Sequence, residues 1–287
     1  MFMVRLFRLL ARLPLPLMQR VGAALGWLVW LLSGPYRNRL EANAKQAGLT
    51  PLQYRPAIAA IGTMLAELPW LWLRPPHQGV LHLVRWDRVE LFEQALDAGK
   101  GVILALPHIG CWEMIGQSLA ERFGPTRGPL VALYRPARKA WLGPLVASSR
   151  ERPGLKTVPT SVAGVRSLIR VLRGGGYTAI LPDQVPPAGQ GVWAPFFGKS
   201  AYTMTLLARL AQQSGAQVLL CWCERRPSGQ GFVMHFEPLD APELRDPDAR
   251  PEAAAAAVNA GMERIIRQAP GQYLWSYARY KQPVGDV

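Results

Sequence analysis

Apolar and polar positions along this chain follow two patterns, which change over at Pro75-Pro76. Beyond that point short apolar runs alternate with segments of helical spacing. The runs near 79–84, 102–106, 129–134, 155–158, 177–181, 216–223 and 231–237 predict strands. Helical spacing near 88–98, 112–123, 138–149, 161–173, 202–214 and 251–268 lies between or after them. Parallel strands need long crossovers, so this alternation predicts an α/β fold with a mainly parallel central sheet flanked by helices. Gly174-Gly175-Gly176 follows a helical segment and precedes a strand, which predicts a helix C-terminal cap, not a phosphate cradle. The proline-broken stretch 240–251 predicts a surface loop within one domain.

Before Pro75 the pattern is different. Arg5, Arg8 and Arg12 are spaced among Phe2, Val4, Leu6, Phe7, Leu9 and Leu10, a basic amphipathic lead-in. Residues 17–33 carry one charge, Arg20, and the unbroken apolar run Val21–Leu32 is shorter than the ~20 residues of a spanning helix. These features predict an N-terminal membrane-associated helix with Trp27 and Trp30 at interface depth. A cleaved secretory signal fits less well, because Arg20 interrupts the apolar region and no small-x-small site follows Trp30. Basic residues flank both sides, so charge assigns no orientation. Residues 1–36 are expected to form the anchor and residues 37–287 the domain that carries the chemistry. Thr50-Pro51 predicts a helix start, with the helix running to about Trp72.

Composition sharpens this picture. Apolar residues make up 49% of the 287 and charged residues 18%, apolar for a soluble protein but too polar for a multispanning one. The net charge of +14 is uneven: residues 1–55 hold eight Lys/Arg and one acid, residues 122–173 eleven and one. Such blocks attract anionic surfaces. With no zinc-finger spacing and no aromatic-rich RNA signature, an anionic membrane is expected in place of nucleic acid. Three cysteines, two of them in Cys221-Trp222-Cys223, form no metal or redox pattern and read as core.

The chemistry concentrates where the strand near 102–106 stops. His108 and Glu113 stand there, flanked by Pro107 and Gly110, at the sheet edge where α/β proteins usually act. Histidine can accept and return a proton near neutrality, and a carboxylate can hold its tautomer and offset its charge. His108 is therefore the expected general base and Glu113 its partner. His77, His82 and His235 read as structural or exposed. Arg135 follows another strand onto the same edge, suited to grip phosphate or polarise a carbonyl; Arg150 is a weaker candidate. Asp183 ends the 177–181 strand and is expected to bind hydroxyls or order an arginine, against a plain turn role. No G-x-S-x-G elbow is present, and no further ligand near His108 suggests a metal.

Four ordered blocks carry a resemblance: His108-Ile-Gly-Cys-Trp-Glu113, Tyr134-Arg135-Pro136, Leu181-Pro182-Asp183-Gln184 and Pro195-Phe196-Phe197-Gly198. Together they resemble the bacterial lipid A biosynthesis (late, secondary) acyltransferases, within the lysophospholipid acyltransferase superfamily, over about residues 15–282. The resemblance implies a glycerolipid acyltransferase-like fold and His108 and Glu113 as the catalytic pair; Arg135, Asp183, Gln184 and Arg150 are the expected substrate-binding residues. It implies transfer of a lauroyl or myristoyl type acyl chain from an acyl thioester to a lipid A precursor, a phosphorylated glycolipid. The donor would be acyl carrier protein, or acyl-CoA, as co-substrate, with no cofactor. It also implies attachment to the bacterial inner membrane with the catalytic domain facing the cytoplasm. Cys111 stands where the family usually has asparagine, and Ser276-Tyr277 replaces a more usual Leu-His, which bears on the acceptor. Another lipid acceptor (a lysophospholipid, ornithine lipid or other glycolipid) stays open, as does a non-catalytic membrane adaptor.

Overall fold

The computed structural model describes residues 2–75, 77–134 and 152–285. The helix expected over 138–149, with Arg135, Arg138, Lys139 and Arg150, lies outside the described residues.

The N-terminal part is helical: α1 (Phe2–Leu10), α2 (Leu15–Leu32), α3 (Gly34–Gln46), α4 (Pro51–Tyr54) and α5 (Pro56–Leu73). The helix expected from Thr50 is thus interrupted at Arg55, because Pro56 cannot donate to a continuing ladder. Helices α2 and α5 run antiparallel in close contact. A Cβ on Gly62 would fall 2.0 Å from the Gly22 carbonyl oxygen, and one on Gly26 2.2 Å from that of Ile58. Both helices are long and apolar enough to cross a membrane, by length and composition. Most of α5 is buried in the protein, whereas α2 turns Leu17, Val21, Leu25, Leu28 and Leu32 outward as one stripe.

The central sheet holds seven strands: β1 (Val84–Asp87), β2 (Val102–Ala105), β3 (Leu130–Tyr134), β4 (Leu155–Pro159), β5 (Tyr177–Ile180), β8 (Gln217–Arg225) and β9 (Phe232–Pro238). Their order is β1-β9-β8-β2-β5-β3-β4, with β8, β2, β5, β3 and β4 parallel. Strand β9 is antiparallel to β8, since a short loop joins them, and β1 pairs parallel with β9.

Alternate residues of β2 feed two cores. Val102 and Leu104 pack with α6 (Val89–Asp97) and α7 (Trp112–Arg127); Ile103 and Ala105 pack with α8 (Val162–Arg173), α9 (Leu206–Ser214) and α10 (Pro251–Gln268). The mainly parallel sheet with helices on both faces is as the sequence predicts.

Two local expectations are corrected. The run near 79–84 is mostly a 3₁₀ turn (Leu81–Leu83), and the strand follows it at Val84–Asp87. The helix expected over 202–214 starts only at Leu206, because residues before it form β7 (Lys199–Met204), paired antiparallel with β6 (Gly191–Phe196). The Phe197-Gly198 turn has φ of 46° and 73°, the left-handed geometry of a tight hairpin. The glycine run caps α8 as expected, with Gly174 N–H donating to Arg170 O and Gly175 at φ 78°.

Candidate active site

Strands β2 and β5 are parallel neighbours, with Ala105 abreast of Ile180. Each continues through a Leu-Pro pair, Leu106-Pro107 and Leu181-Pro182, and proline cannot extend the ladder. His108 and Asp183 are both the third residue past their register partners, so the topology sets them side by side. Asp183 Oδ1 lies 2.7 Å from His108 Nδ1, and its Oδ2 accepts the His108 backbone N–H at 2.8 Å. One carboxylate therefore fixes both the ring and the main chain of the histidine.

Asp183 thus makes a ring-orienting contact of the kind expected of Glu113. Glu113 lies in the first turn of α7, half-buried, where the helix N-terminus favours a negative charge. Asp183 arrives beside the ring from the adjacent strand.

On the other side of the ring, Gln184 Nε2 lies 3.0 Å from His108 Nε2. With the Nδ1 proton directed at the carboxylate, Nε2 carries the lone pair and accepts from this amide. Trp112 packs beside the ring, centroids 5.3 Å apart. The His108 side chain keeps 13% exposure and that of Asp183 only 2%. Asp183 is nonetheless a charged group. Burial raises its pKa, but the electrostatic interaction and hydrogen bonds with the His108 ring and backbone, assisted by Arg279, outweigh that and hold it below the ordinary carboxylate value.

The carboxylate has support behind it. The Tyr273 hydroxyl faces Asp183, and burial together with that charge pushes its pKa well up, so it stays a neutral donor. Arg279 is held by the Tyr202 carbonyl at 2.7 Å and by Thr203 Oγ1 at 2.7 Å, over the Phe196 ring. The β6–β7 hairpin thereby places a buried cation near Asp183. The sequence singles out neither Tyr273 nor Arg279 as a site residue.

The loop between β2 and α7 is fixed on several sides. Leu274 N–H donates to His108 O at 3.0 Å, Gly110 N–H to Gln272 O at 3.1 Å, and Cys111 N–H to Cys223 O at 2.9 Å. Gly110 has φ 60°, and a Cβ there would fall 1.9 Å from the Cys223 carbonyl oxygen. Only glycine fits.

A carboxylate-held histidine at the carboxyl edge of the central strands of an open α/β sheet can serve chemically as a general base. The bacterial lipid A biosynthesis acyltransferase family model matches residues 1–282. The lipid A biosynthesis lauroyltransferase of Escherichia coli K12 is 25% identical over 283 residues, 95% of this chain and 88% of the relative. A Haemophilus influenzae lipid A biosynthesis acyltransferase is 30% identical over 188 residues, 65% of this chain and 56% of the relative. A phosphatidylinositol mannoside acyltransferase of Mycolicibacterium smegmatis is 31% identical over 159 residues, covering 50% of this chain and 46% of that protein. The chain belongs to the bacterial lipid A biosynthesis acyltransferase family and is an acyltransferase.

Proposed function

We propose that this protein moves a lauroyl or myristoyl type acyl chain from an acyl thioester, preferentially on acyl carrier protein, to a hydroxyl of a phosphorylated lipid A precursor. The His108–Asp183 contact carries the reading. Nε2 of the neutral ring takes the proton of the acceptor hydroxyl as its oxygen attacks the thioester carbonyl carbon. Asp183, ionised, stabilises the imidazolium that results. The tetrahedral oxyanion then collapses, the C–S bond breaks, and the imidazolium returns its proton to the leaving thiolate. The amide of Gln184 marks where the acceptor hydroxyl arrives. Glu113 is kept from the sequence as a catalytic partner of the base, beside Asp183. Arg135 and Arg150, outside the described residues, are retained from the sequence as groups for the acceptor phosphates or the thioester carbonyl.

The apolar stripe on α2 and the basic α1 support seating on an anionic bilayer, for which we propose the bacterial inner membrane with the site facing the cytoplasm. The mannoside acyltransferase relatives favour, as a second reading, a different glycolipid acceptor for the same chemistry. Two measurements test the proposal. Purified His108→Ala is expected to lose about 10²–10⁴-fold in turnover while still binding vesicles; near-normal turnover would remove His108 as base. Mass spectrometry of lipid A from cells with and without the gene is expected to differ by one acyl chain. An unchanged profile would direct attention to the other glycolipids.

A further inference from the structure

The apolar helix α5 contains one ionisable residue, Glu67, and that residue is completely buried. Its carboxylate is enclosed by groups from three other parts of the fold. Gln19 Nε2 of α2 donates to Oε1 at 2.8 Å. Arg225, at the end of β8, donates through Nε to Oε1 at 2.7 Å and through Nη2 to Oε2. The Cys111 thiol lies against the same carboxylate, which adds to burial in raising its pKa. Arg225 then reaches the catalytic loop: its Nη2 donates to Gly110 O at 3.2 Å. The backbone of Arg225 is clamped by the side chain of Gln272, at 2.9 and 3.0 Å, and the backbone of Gln272 takes the Gly110 N–H.

Both backbone polar groups of Gly110 are therefore gripped by Arg225 and Gln272, two residues after His108. A charge in so apolar a helix is costly unless a partner meets it with good geometry. Bidentate Arg–carboxylate geometry is directional, so it fixes rotation and axial register of α5 as well as distance. The close-packed glycines leave α2 little freedom to move without α5.

We propose that the Glu67–Arg225 pair, with Gln19, is a positioning device that couples the seating of the α2–α5 helix pair to the His108 loop. This rests on the acyl-transfer reading above and adds to it. The N-terminal helices then set the geometry of the base as well as the location of the enzyme. A displacement of α5 relative to the sheet draws the Gly110 carbonyl with it and moves His108 away from the hydroxyl it must deprotonate. Neither Glu67 nor Arg225 touches substrate in this scheme.

The test uses the purified full chain in phospholipid vesicles, with Glu67→Gln, Arg225→Lys and Gln19→Leu. Turnover and KM are measured with an acyl thioester donor, and binding stoichiometry with the non-hydrolysable acyl thioether analogue. Glu67→Gln is expected to lower kcat about 10²-fold, with full binding stoichiometry and little change in donor KM, as a misplaced catalytic group does. Arg225→Lys keeps the charge but not the fork and is expected to recover only part of the loss. Wild-type kcat in Glu67→Gln, or a kcat that falls only in proportion to lost binding sites, would overturn the proposal in favour of scaffolding alone. If Glu67→Gln does not fold, Gln19→Leu decides, since it leaves the ion pair whole: lowered kcat at full stoichiometry supports coupling, and unchanged kcat overturns it. His108→Ala is assayed in parallel. Retained transfer there defeats the general-base reading itself, whatever Glu67 shows.

Discussion

Among the described residues, the two ring nitrogens of His108 meet polar groups from consecutive residues, Asp183 and Gln184. Removing the charge but not the shape isolates what the carboxylate does. Asp183→Asn is expected to lower kcat about 10²–10⁴-fold, because an amide stabilises neither the needed tautomer nor the imidazolium. Glu113→Ala, assayed beside it, is also expected to be severely impaired, and near-normal turnover there would remove Glu113 from the catalytic unit. The Asp183 pKa is depressed in the folded protein, so its stabilising contribution is fully present above the unfolded value near 3.8 and is lost as pH falls through the lower folded value. Denaturant midpoints for wild type and Asp183→Asn should therefore keep a constant separation from neutral pH to mild acid and converge only in strong acid. Convergence already near pH 6 would contradict a depressed carboxylate. The His108–Asp183 pair was partly legible in the sequence. Both residues end a strand with the same Leu-Pro prefix, and equal offsets on adjacent parallel strands bring residues abreast. Glu113 lies near His108 in sequence, whereas Asp183 is brought to it by strand adjacency, and strand order is not written in periodicity.

At the scale of elements, the pattern of short apolar runs located most of the sheet, because buried parallel strands must be continuously apolar. It missed the β6–β7 hairpin. Trp193, Pro195, Tyr202 and Thr203 belong to short strands outside the main sheet, and the run into α9 continued their apolar pattern without a break. That omission hid the role of Arg279, whose buried guanidinium is held by β7. The α2–α5 crossing is likewise not legible in the sequence, since each helix is apolar in its own right and the glycines that match them lie far apart in the chain. It makes a sharp prediction. A Cβ at Gly62 meets the backbone of Gly22 at 2.0 Å and that of Gly26 at 2.6–2.7 Å, and backbone atoms cannot step aside as a side chain would. Gly62→Ala should separate the helices and cost about 1–3 kcal/mol, as overpacking does. For a chain of this size that corresponds to about 2–4 °C of Tm for each kcal/mol. Differential scanning calorimetry in detergent would measure it, and an unchanged or raised Tm would mean that the two helices do not pack this closely.

At the scale of the whole molecule, charge separates two surfaces. The N-terminal block, with α1 and the apolar stripe of α2, faces the proposed bilayer. The second block includes Lys156 on β4 and Arg166, Arg170 and Arg173, all exposed, the last three along one side of α8. Helix α8 starts beside the end of β3, with Thr160 N–H on the Tyr134 carbonyl, so its first turn lies at the same sheet edge as His108. An acidic carrier protein presents an extended negative face to such a stripe, whereas a coenzyme A thioester presents only a few phosphates. Charge reversal by Arg166→Glu with Arg170→Glu should therefore raise KM for the carrier-bound donor more than for the coenzyme A donor. Rim charges act mainly on association rate, so kcat at saturation should hold. The intact enzyme should lose efficiency with the carrier donor as ionic strength rises past the point where the Debye length falls below about 10 Å, and the reversed variant should lose less. Steady-state kinetics with both donors across a salt series decides the matter. Equal losses for the two donors would assign the α8 stripe to the phosphates of the acceptor or to the membrane surface, leaving the carrier to dock elsewhere.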